Sequence, residues 1–392
     1  MTELRNQRAV LRPRPERWAA VQRLGLRLAL TALSLLGFST FAAFVYETPA
    51  EFLTSADFNG DSIPDVLVLD RTTGNARVGY QSPGGVLTWS APLPTGVEGV
   101  TGCTTADFFQ SGSNAVAVTA PAFNRVNYVS LADTNSAPPP TSVALTTVGP
   151  HSLVALPAAL GQPPSSPPWL LAASSFNHAP SERLELLQWV GVSMTYSLAN
   201  EIGPFDRGNV LELNTNTAHF AVGLVRGATN DTLHIWQFTN TPSVIGVLSN
   251  LPSASDYVFG RFNNEPLPRF WFYQAGGTNI SIRSLETDGT QFTFGPPISI
   301  NFTQALGRVY IVGNPADGSA MIQFSDGVQG LRLPGGVPSF ASKYSPAAGK
   351  TFTGIAALDD GKFVLLNAPT GTVSSVAAQV MAFDGTNYTQ VS

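Results

Sequence analysis

Short apolar stretches alternate with turn residues along the chain after residue 50. In one representative unit, an apolar stretch at 66–69 is followed by an alternating stretch at 76–81 and a third stretch at 86–90, with glycine-containing turns between them. Alternation with a period of two puts side chains on opposite faces of a strand, and glycine supplies the positive φ that tight hairpins need. The pattern predicts short antiparallel strands joined by hairpins, so the predicted fold class is all-β.

This unit is repeated along the chain. The stretch that begins Ala56-Asp-Phe is matched fifty residues later by one that begins Ala106-Asp-Phe, and again by one that begins Gly260-Arg-Phe. Weaker copies of the apolar strand follow a polar or proline-rich loop in four further places, at 169–173, 219–224, 320–324 and 363–366. Seven units with a spacing of roughly 50 residues have the period of a repeat architecture.

A single meander of this size cannot bury both faces of its sheet, but several meanders packed radially around an axis can. We therefore predict a β-propeller over residues 47–392, with seven blades of four-stranded antiparallel sheets. Six or eight blades are the alternatives, because the third unit carries a proline-rich insert at 161–168. A β-sandwich does not predict seven similar units in the same order, and solenoid turns are usually shorter.

The composition agrees with this fold. Only 12% of residues are charged, while glycine contributes 36 residues and proline 30, as expected for many short strands joined by turns. Hydrophobic residues make up 43% of the chain, which is enough for a core and argues against wholesale disorder. Cys103 is the single cysteine, so an intrachain disulfide is excluded, and we expect a small buried side chain there.

The N-terminal region has a different character. Residues 1–27 carry seven arginines and two glutamates, and residues 28–46 form an uncharged, largely apolar stretch. A helix of roughly 20 apolar residues spans a bilayer, and the positive-inside rule keeps the basic segment in the cytoplasm. We predict a hydrophobic helix over 28–46 that serves as a transmembrane anchor or as a signal peptide. The candidate cleavage positions follow Ala42 and Ala50.

Both outcomes place the body outside the cytoplasm, in the periplasm, at the cell surface or secreted, and anchored by 28–46 if that segment is uncleaved. Residues 47–392 carry 14 basic and 24 acidic side chains, a net charge of −10. Nucleic-acid phosphates require a basic binding face. The acidic body therefore argues against a nucleic-acid partner.

Acidic and amide side chains occupy alternate positions of a loop in the first unit. Positions 1, 3, 5 and 9 are Asp57, Asn59, Asp61 and Asp65, and position 7 offers the backbone carbonyl of Ile63. Alternate positions of a curled loop turn their oxygens towards one point, and oxygen donors that include three carboxylates suit Ca²⁺. We therefore predict that these five residues bind Ca²⁺. The alternative is a polar turn whose side chains accept hydrogen bonds from backbone N–H groups.

An EF-hand shares this spacing over the first nine positions. It requires a bidentate glutamate at the twelfth position, where this chain has Val68. Pro64 and the β-branched residues that follow it favour a strand over the exiting helix of an EF-hand. The sequence therefore excludes an EF-hand.

Residues 56–68, with the rest of the unit to about residue 95, resemble the FG-GAP/VCBS repeat of integrin α-chain propellers and many bacterial surface proteins. The family core, Asp-x-Asn-x-Asp-Gly-x-x-Asp followed by Leu or Val strand residues, is matched by Asp57, Asn59, Asp61 and Asp65. The match departs at Ser62, where the family usually has glycine. The resemblance implies a propeller repeat whose loop binds calcium and braces the first turn of the blade.

The other units lack the full ligand pattern. Unit two keeps Asp107 and has other residue types at the remaining three ligand positions, namely Phe109, Ser111 and Ala115. Unit five has Arg261 and Arg269 in place of the first and last carboxylates, and we expect these arginines to pair with Glu265 instead of a metal. Weak candidates for additional calcium sites are Asp317, Asp359 and Asp360.

The sequence contains no recognisable catalytic motif, and no catalytic residue is predicted. Its four histidines are scattered, at His151, His178, His219 and His234, and no nucleophile elbow, phosphate loop or dinucleotide fingerprint occurs. Tryptophans recur at similar points of their units, as Trp89, Trp169, Trp189, Trp236 and Trp271. We interpret them as residues that pack one blade against the next, in preference to a sugar-stacking site.

Two functions agree with these features. The first, which we expect, is a monomeric, non-enzymatic binding or scaffold module for a protein or glycan partner, with calcium as a structural brace. The second is a propeller-fold carbohydrate-active enzyme, a polysaccharide lyase or glycosidase, with acids and tyrosines at the mouth of the axial channel. A convergent cluster of Asp, Glu, His and Arg in that channel favours the enzyme, and its absence favours binding.

Overall fold

The computed structural model describes residues 44–132, 140–145, 149–156, 168–174, 184–190, 192–198, 205–211, 213, 219–238, 243–262, 265–312, 319–358, 362–369 and 377–391. Within these ranges the regular structure consists of β strands and one 3-10 turn. The candidate helix at 28–46 lies outside them, except for its last three residues. In the described part of the chain, no helix has the length and apolar character to cross a bilayer.

Seven successive sheets follow one another along the chain. The first sheet contains β1 (Tyr46–Glu47), β2 (Glu51–Ala56), β3 (Asp65–Asp70), β4 (Asn75–Gln81), β5 (Leu87–Trp89) and β6 (Leu93–Pro94). The second contains β7 (Gly102–Ala106), β8 (Ala115–Thr119), β9 (Arg125–Ser130) and β10 (Thr141–Ala144). The third contains β11 (Pro150–Leu156), β12 (Trp169–Ser174), β13 (Leu184–Val190) and β14 (Val192–Leu198).

The remaining four blades also follow the chain as meanders, and in the fifth both outer strands pair with the third strand. The fourth contains β15 (Arg207–Leu211), β16 (His219–Val225), β17 (Asn230–Phe238) and β18 (Ser243–Pro252). The fifth contains β19 (Asp256–Gly260), β20 (Arg269–Tyr273), β21 (Asn279–Thr287), β22 (Phe292–Phe294) and β23 (Ile298–Asn301). The sixth contains β24 (Leu306–Val312), β25 (Ser319–Phe324), β26 (Gly327–Arg332), the 3-10 turn η1 (Pro334–Gly336) and β27 (Ser339–Tyr344). The seventh contains β28 (Lys350–Ala357), β29 (Lys362–Pro369), β30 (Ala377–Phe383) and β31 (Tyr388–Gln390).

Each blade is an antiparallel meander, and the seven blades form a ring. Blades four and five are also joined by one parallel bridge between β18 and β22, at Gly246 and Phe292. The first strands of neighbouring sheets lie against each other in the order β2, β7, β11 and β15, and again from β19 through β24 and β28 back to β2. Between β15 and β19, Asn209 Nδ2 donates to the Tyr257 hydroxyl over 3.3 Å. The ring confirms the predicted β-propeller of seven blades, with the first strand of each blade nearest the axis.

The sequence pattern located the second strand of every blade. The predicted apolar stretches coincide with β3, β8, β12, β16, β20, β25 and β29. The pattern does not predict the innermost strand of each blade, which precedes the polar loop. Inner strands such as β2, β7 and β11 are buried over four or more consecutive residues, so they lack the alternation that marks a half-exposed strand.

The core consists of apolar clusters between adjacent blades. One cluster joins blades one and two, others join two to three, three to four, and four to five, and the largest joins blades five, six, seven and one. Trp236 and Trp271 are fully buried in such clusters, which confirms the packing interpretation for both. Trp89 and Trp169 pack at the margins of clusters, and Trp189 lies in β13. Cys103 is buried, as expected.

The short strand β1 departs from the repeat. It pairs antiparallel with β2 on the edge that faces the axis, with Tyr46 opposite Leu53 and Glu47 opposite Phe52. Phe44 and Tyr46, which the sequence assigns to the apolar segment 28–46, are therefore part of the propeller. The axial channel is occupied by the chain itself at this level.

Candidate functional site

The five predicted calcium ligands lie in the loop between β2 and β3. Asp57 is half-buried, Asn59 and Asp61 are exposed, Ile63 is half-buried, and Asp65 is fully buried as the first residue of β3. Gly60 has φ +80° and Ser62 has φ +66°, the left-handed conformation that closes the bend. Ser62 stands where the FG-GAP repeat usually has glycine, the residue that adopts a positive φ without steric cost.

The side-chain oxygens of this loop accept hydrogen bonds from its own backbone. Asp57 Oδ1 accepts from the N–H of Gly60 at 2.6 Å, and Asp57 Oδ2 accepts from the N–H of Ser62 at 2.7 Å. Asp61 Oδ1 accepts from the N–H of Ile63 at 2.8 Å, and its Oδ2 accepts from Asn59 Nδ2 at 3.0 Å. This is the bonding expected of a polar turn.

Asp65 closes the loop onto the sheet. Its Oδ2 accepts from the N–H of Phe58 at 3.0 Å and its Oδ1 from the N–H of Gln81 at 2.9 Å. Burial raises the pKa of Asp65 to about 7, the two backbone hydrogen bonds oppose the rise, and the carboxylates of Asp61 and Asp57 add to it. A nearby cation stabilises crowded carboxylates of this kind.

The donor set has the chemistry that calcium requires, since it contains three carboxylates, an amide and a backbone carbonyl. Among the residues described, however, no three His, Cys, Asp or Glu side chains are grouped so that they hold a metal ion. Asp57 Oδ1 accepts two backbone hydrogen bonds, from Gly60 and Asp61, whereas the other carboxylate oxygens of the loop each accept one and retain a second lone pair. Calcium binding by Asp57, Asn59, Asp61, Ile63 and Asp65 therefore stays a prediction.

The corresponding loop of blade two has the same backbone without the ligand pattern. Asp107 Oδ1 accepts from the N–H of Ser111 and its Oδ2 from the N–H of Gly112, both at 2.9 Å. The two loops touch, because the N–H of Asn114 donates to the carbonyl of Asp57 over 2.6 Å. The aspartate at the first position therefore accepts equivalent backbone hydrogen bonds in both loops.

A buried phenylalanine is the feature that three units share. Phe58, Phe108 and Phe262 follow the first loop position in blades one, two and five, and none is more than 1% exposed. Each anchors its loop in an inter-blade cluster. The repeat signal in the sequence thus reflects packing in three blades, while the full ligand pattern occurs in the first.

In blade five, Arg269 stands where blade one has Asp65 and forms a salt bridge with Glu265, as expected for this one of the two arginines. Arg269 Nε donates to Glu265 Oε2 at 2.7 Å, and Arg269 Nη2 donates to Glu265 Oε1 at 2.6 Å. The bidentate bond to Glu265 raises the pKa of Arg269. The weak calcium candidates Asp317, Asp359 and Asp360 lie outside the described residues.

We expect a measurable coupling between Glu265 and Arg269. A double-mutant cycle of Glu265→Ala and Arg269→Ala is predicted to give roughly 0.5–1 kcal/mol, because the pair is bidentate and partly shielded from solvent. Urea unfolding of the four proteins measures the coupling. A cycle built on Asp326 and Lys343, an exposed pair with one bond of 2.8 Å, is the control and should give a smaller value. Equal couplings would contradict the prediction.

A second polar constellation lies in the axial channel, and the sequence pattern did not reveal it. Asp256, at the start of β19, forms an ion pair with Arg207 from β15 and accepts from Arg308 Nη1 of β24 at 3.2 Å. Its carboxylate also accepts from the Tyr273 hydroxyl at 3.0 Å and from the N–H of Tyr257 at 2.8 Å. The three charged residues come from three blades, so no local motif joins them.

The channel cluster is enclosed. Arg207 is 4% exposed and Asp256 is 8% exposed. The Phe44 ring lies over the Arg207 guanidinium at 5.8 Å, and the Tyr257 ring lies 5.4 Å from the same group. Both oxygens of the Asp256 carboxylate, the one carboxylate of the cluster, have hydrogen-bond or ion-pair partners. The arrangement is therefore suited to holding blades four, five and six together.

The histidines form no site in the described residues. His151 lies in β11, His219 in β16 and His234 in β17, and His178 lies outside the described ranges. The Nδ1 atoms of His151 and His234 are buried without a hydrogen-bond partner, and burial lowers the pKa of His234. The three histidines therefore lie in strands of blades three and four, where the structure groups them with no set of metal-ligating side chains among the described residues.

Comparison with known proteins identifies the fold and leaves the family open. No protein-family model and no curated protein sequence matches this chain. The structure of BBS1N in complex with ARL6DN is similar, with a TM-score of 0.53, 10% identity, and coverage of 87% of this chain and 93% of that one. A protein from Lactobacillus plantarum gives a TM-score of 0.50, 10% identity, and coverage of 87% and 94%.

The structure of the Dos1 propeller gives a TM-score of 0.46 with 12% identity, covering 82% of this chain and 74% of that one. At such identities, the likeness to BBS1N and the Lactobacillus plantarum protein concerns the fold alone. The FG-GAP/VCBS likeness continues to rest on residues 56–68. By its sheet order and its ring of inner strands, the chain is a seven-bladed β-propeller.

Proposed function

We propose that this protein is an exported, calcium-braced propeller of the FG-GAP/VCBS type that serves as a non-enzymatic binding or scaffold module. The observation that carries the non-enzymatic part is the closure of the axial channel. The strand β1 lies on the axial edge of β2, and Phe44 covers Arg207. With the axis closed, the loops and the outer strands of the blades are the surfaces available to a protein or glycan partner.

The fold itself is compatible with a protein partner. BBS1N, which shares the fold, has been crystallised in complex with ARL6DN. A propeller presents many loops on a rigid ring, and such loops tolerate wide sequence variation without loss of the scaffold. We propose that this chain also binds a partner through its loops, and that the sequence of those loops determines which partner is bound.

The alternative of a carbohydrate-active enzyme is supported by one observation, the channel cluster of Asp256, Arg207 and Arg308 with nearby tyrosines. Glycoside hydrolysis requires two carboxyl groups on either side of the scissile bond. Of the carboxylates near the axis, that of Asp256 already has four donors. The carboxylate of Glu47 in β1 lies 3.7 Å from the Arg71 guanidinium and is paired with it. A substrate would therefore have to displace both β1 and the ion pairs before it met a free carboxylate.

Binding and turnover can be measured on the same protein. The full chain, purified in detergent, is applied to a glycan array and, in parallel, incubated with polysaccharides while reducing ends and unsaturated products are recorded. We expect binding to a glycan class, or to none, and no turnover of any polysaccharide. Turnover that is lost in Asp256→Asn would contradict the proposal and establish the enzymatic alternative.

A further inference from the structure

The first described residues of the chain cross the axis of the propeller. Tyr46 belongs to blade one, yet its hydroxyl donates to the carbonyl of Ile311 in blade six and accepts from the N–H of the same residue, both at 3.1 Å. The Tyr46 ring lies 4.9 Å from that of Tyr310, and the Phe44 ring lies 5.5 Å from that of Phe259 in blade five. In a ring of seven, blades six and five are two and three positions away from blade one, so these contacts bypass blade seven on the side of the axis.

The ring has no strand shared between its first and last blades in the described part of the chain. The strands of blade one and those of blade seven are each contiguous in sequence. The direct junction is formed by β2 and β28, where the side chain of Leu53 occupies the space over Gly354, and a Cβ at that position would overlap it. A closed ring whose end blades exchange no strand depends on such contacts, and β1 adds a second connection across the middle.

β1 is also built into the core rather than laid upon it. Tyr46 is 5% exposed, and the same apolar cluster contains residues of blades five, six and seven. The turn that joins β1 to β2 is fixed by Thr48, whose Oγ1 accepts from the N–H of Glu51 at 2.8 Å and donates to its carbonyl at 3.0 Å. Burial of an aromatic ring removes a large apolar area from water, so Tyr46 stabilises the packing of β1 against these blades.

We propose that the segment Phe44–Glu47 is the closure strand of the propeller and that it stays on the body after export. The claim that this segment stays on the body rests on the proposed export. Of the two candidate cleavage positions, cleavage after Ala50 removes the closure strand, whereas cleavage after Ala42 leaves it intact. The structure thus assigns any signal-peptide cleavage to the position after Ala42, and an uncleaved anchor satisfies the same requirement.

The N-terminus of the exported protein tests the retention of β1. Cells that express the full chain are fractionated, and the extracytoplasmic protein is analysed by intact mass. We expect either the mass of the full chain or a mass that begins at Ala43, with Ala50→Leu unchanged in processing. A mature chain that begins at Glu51 overturns the proposal. Full-length protein confined to the cytoplasm contradicts export, and the closure strand is then tested separately.

Hydrogen exchange on the purified full chain tests closure independently of export. We expect Tyr46→Ala to accelerate exchange in β2, β24 and β28 by roughly tenfold or more, because it opens the ring locally. Tyr46→Phe keeps the ring but loses both bonds to Ile311, so it should give a smaller acceleration in β24. Phe123→Ala removes an aromatic ring that is 37% exposed and serves as the control. Unchanged exchange in both Tyr46 variants overturns the closure role.

Discussion

Replacing Asp256 with alanine is expected to lower the free energy of unfolding by about 3–5 kcal/mol, the usual cost of removing one partner of a buried ion pair. Asp256 neutralises Arg207, which is 4% exposed, and also binds Arg308. Without the carboxylate, a buried guanidinium has no counter-ion and the Tyr273 hydroxyl loses its acceptor. Urea unfolding of the full chain, followed by tryptophan fluorescence, measures the change in the midpoint.

Two further variants test whether the loss of stability in Asp256→Ala arises from the burial of the ion pair. Asp326→Ala removes an exposed carboxylate that pairs with Lys343, and it should change the midpoint far less because water solvates the remaining charge. The double variant Asp256→Leu with Arg207→Met replaces both charges with apolar groups, so it should be more stable than Asp256→Ala. A midpoint for Asp256→Ala that matches that of Asp326→Ala would show that the channel cluster is well hydrated, contrary to its exposure in the structure.

The repeat pattern predicted the blades because the signals that define them are local. An apolar second strand, a glycine turn and a buried phenylalanine lie within about twenty residues of each other, and all of them recur. The inner strands and the channel cluster depend on contacts between blades. Arg207, Asp256 and Arg308 are each about fifty residues apart, and nothing in their own neighbourhoods distinguishes them from surface charges.

The loop shows a different limit of sequence reasoning. Alternating Asp and Asn side chains satisfy two requirements at once, since the same spacing places oxygens around a cation and opposite backbone N–H groups. The sequence predicted which residues come together in one loop. It did not predict that Asp57 and Asp61 accept hydrogen bonds from that loop, because the choice between metal and backbone depends on side-chain rotation.

Calcium is expected to raise the thermal midpoint of the full chain relative to the chelated protein. If the loop binds one ion in the folded state alone, a free calcium concentration 100 times the dissociation constant stabilises that state by about 2.7 kcal/mol. Burial raises the pKa of Asp65 to about 7, and the neighbouring carboxylates of Asp61 and Asp57 add to the rise by repulsion. A divalent cation removes this repulsion.

The readout that distinguishes a metal site from a polar turn is the response to calcium, since the hydrogen bonds of Asp61 contribute to stability in either case. Asp61→Ala should abolish the calcium-dependent rise in the midpoint. Ser111→Ala, at the equivalent position of the blade-two loop, should leave it intact, because that loop keeps its shape through Asp107. If the unmodified chain melts at the same temperature in calcium and in chelator, the calcium prediction is wrong. The loop of blade one is then a polar turn like that of blade two, and its carboxylates accept backbone hydrogen bonds without binding a metal.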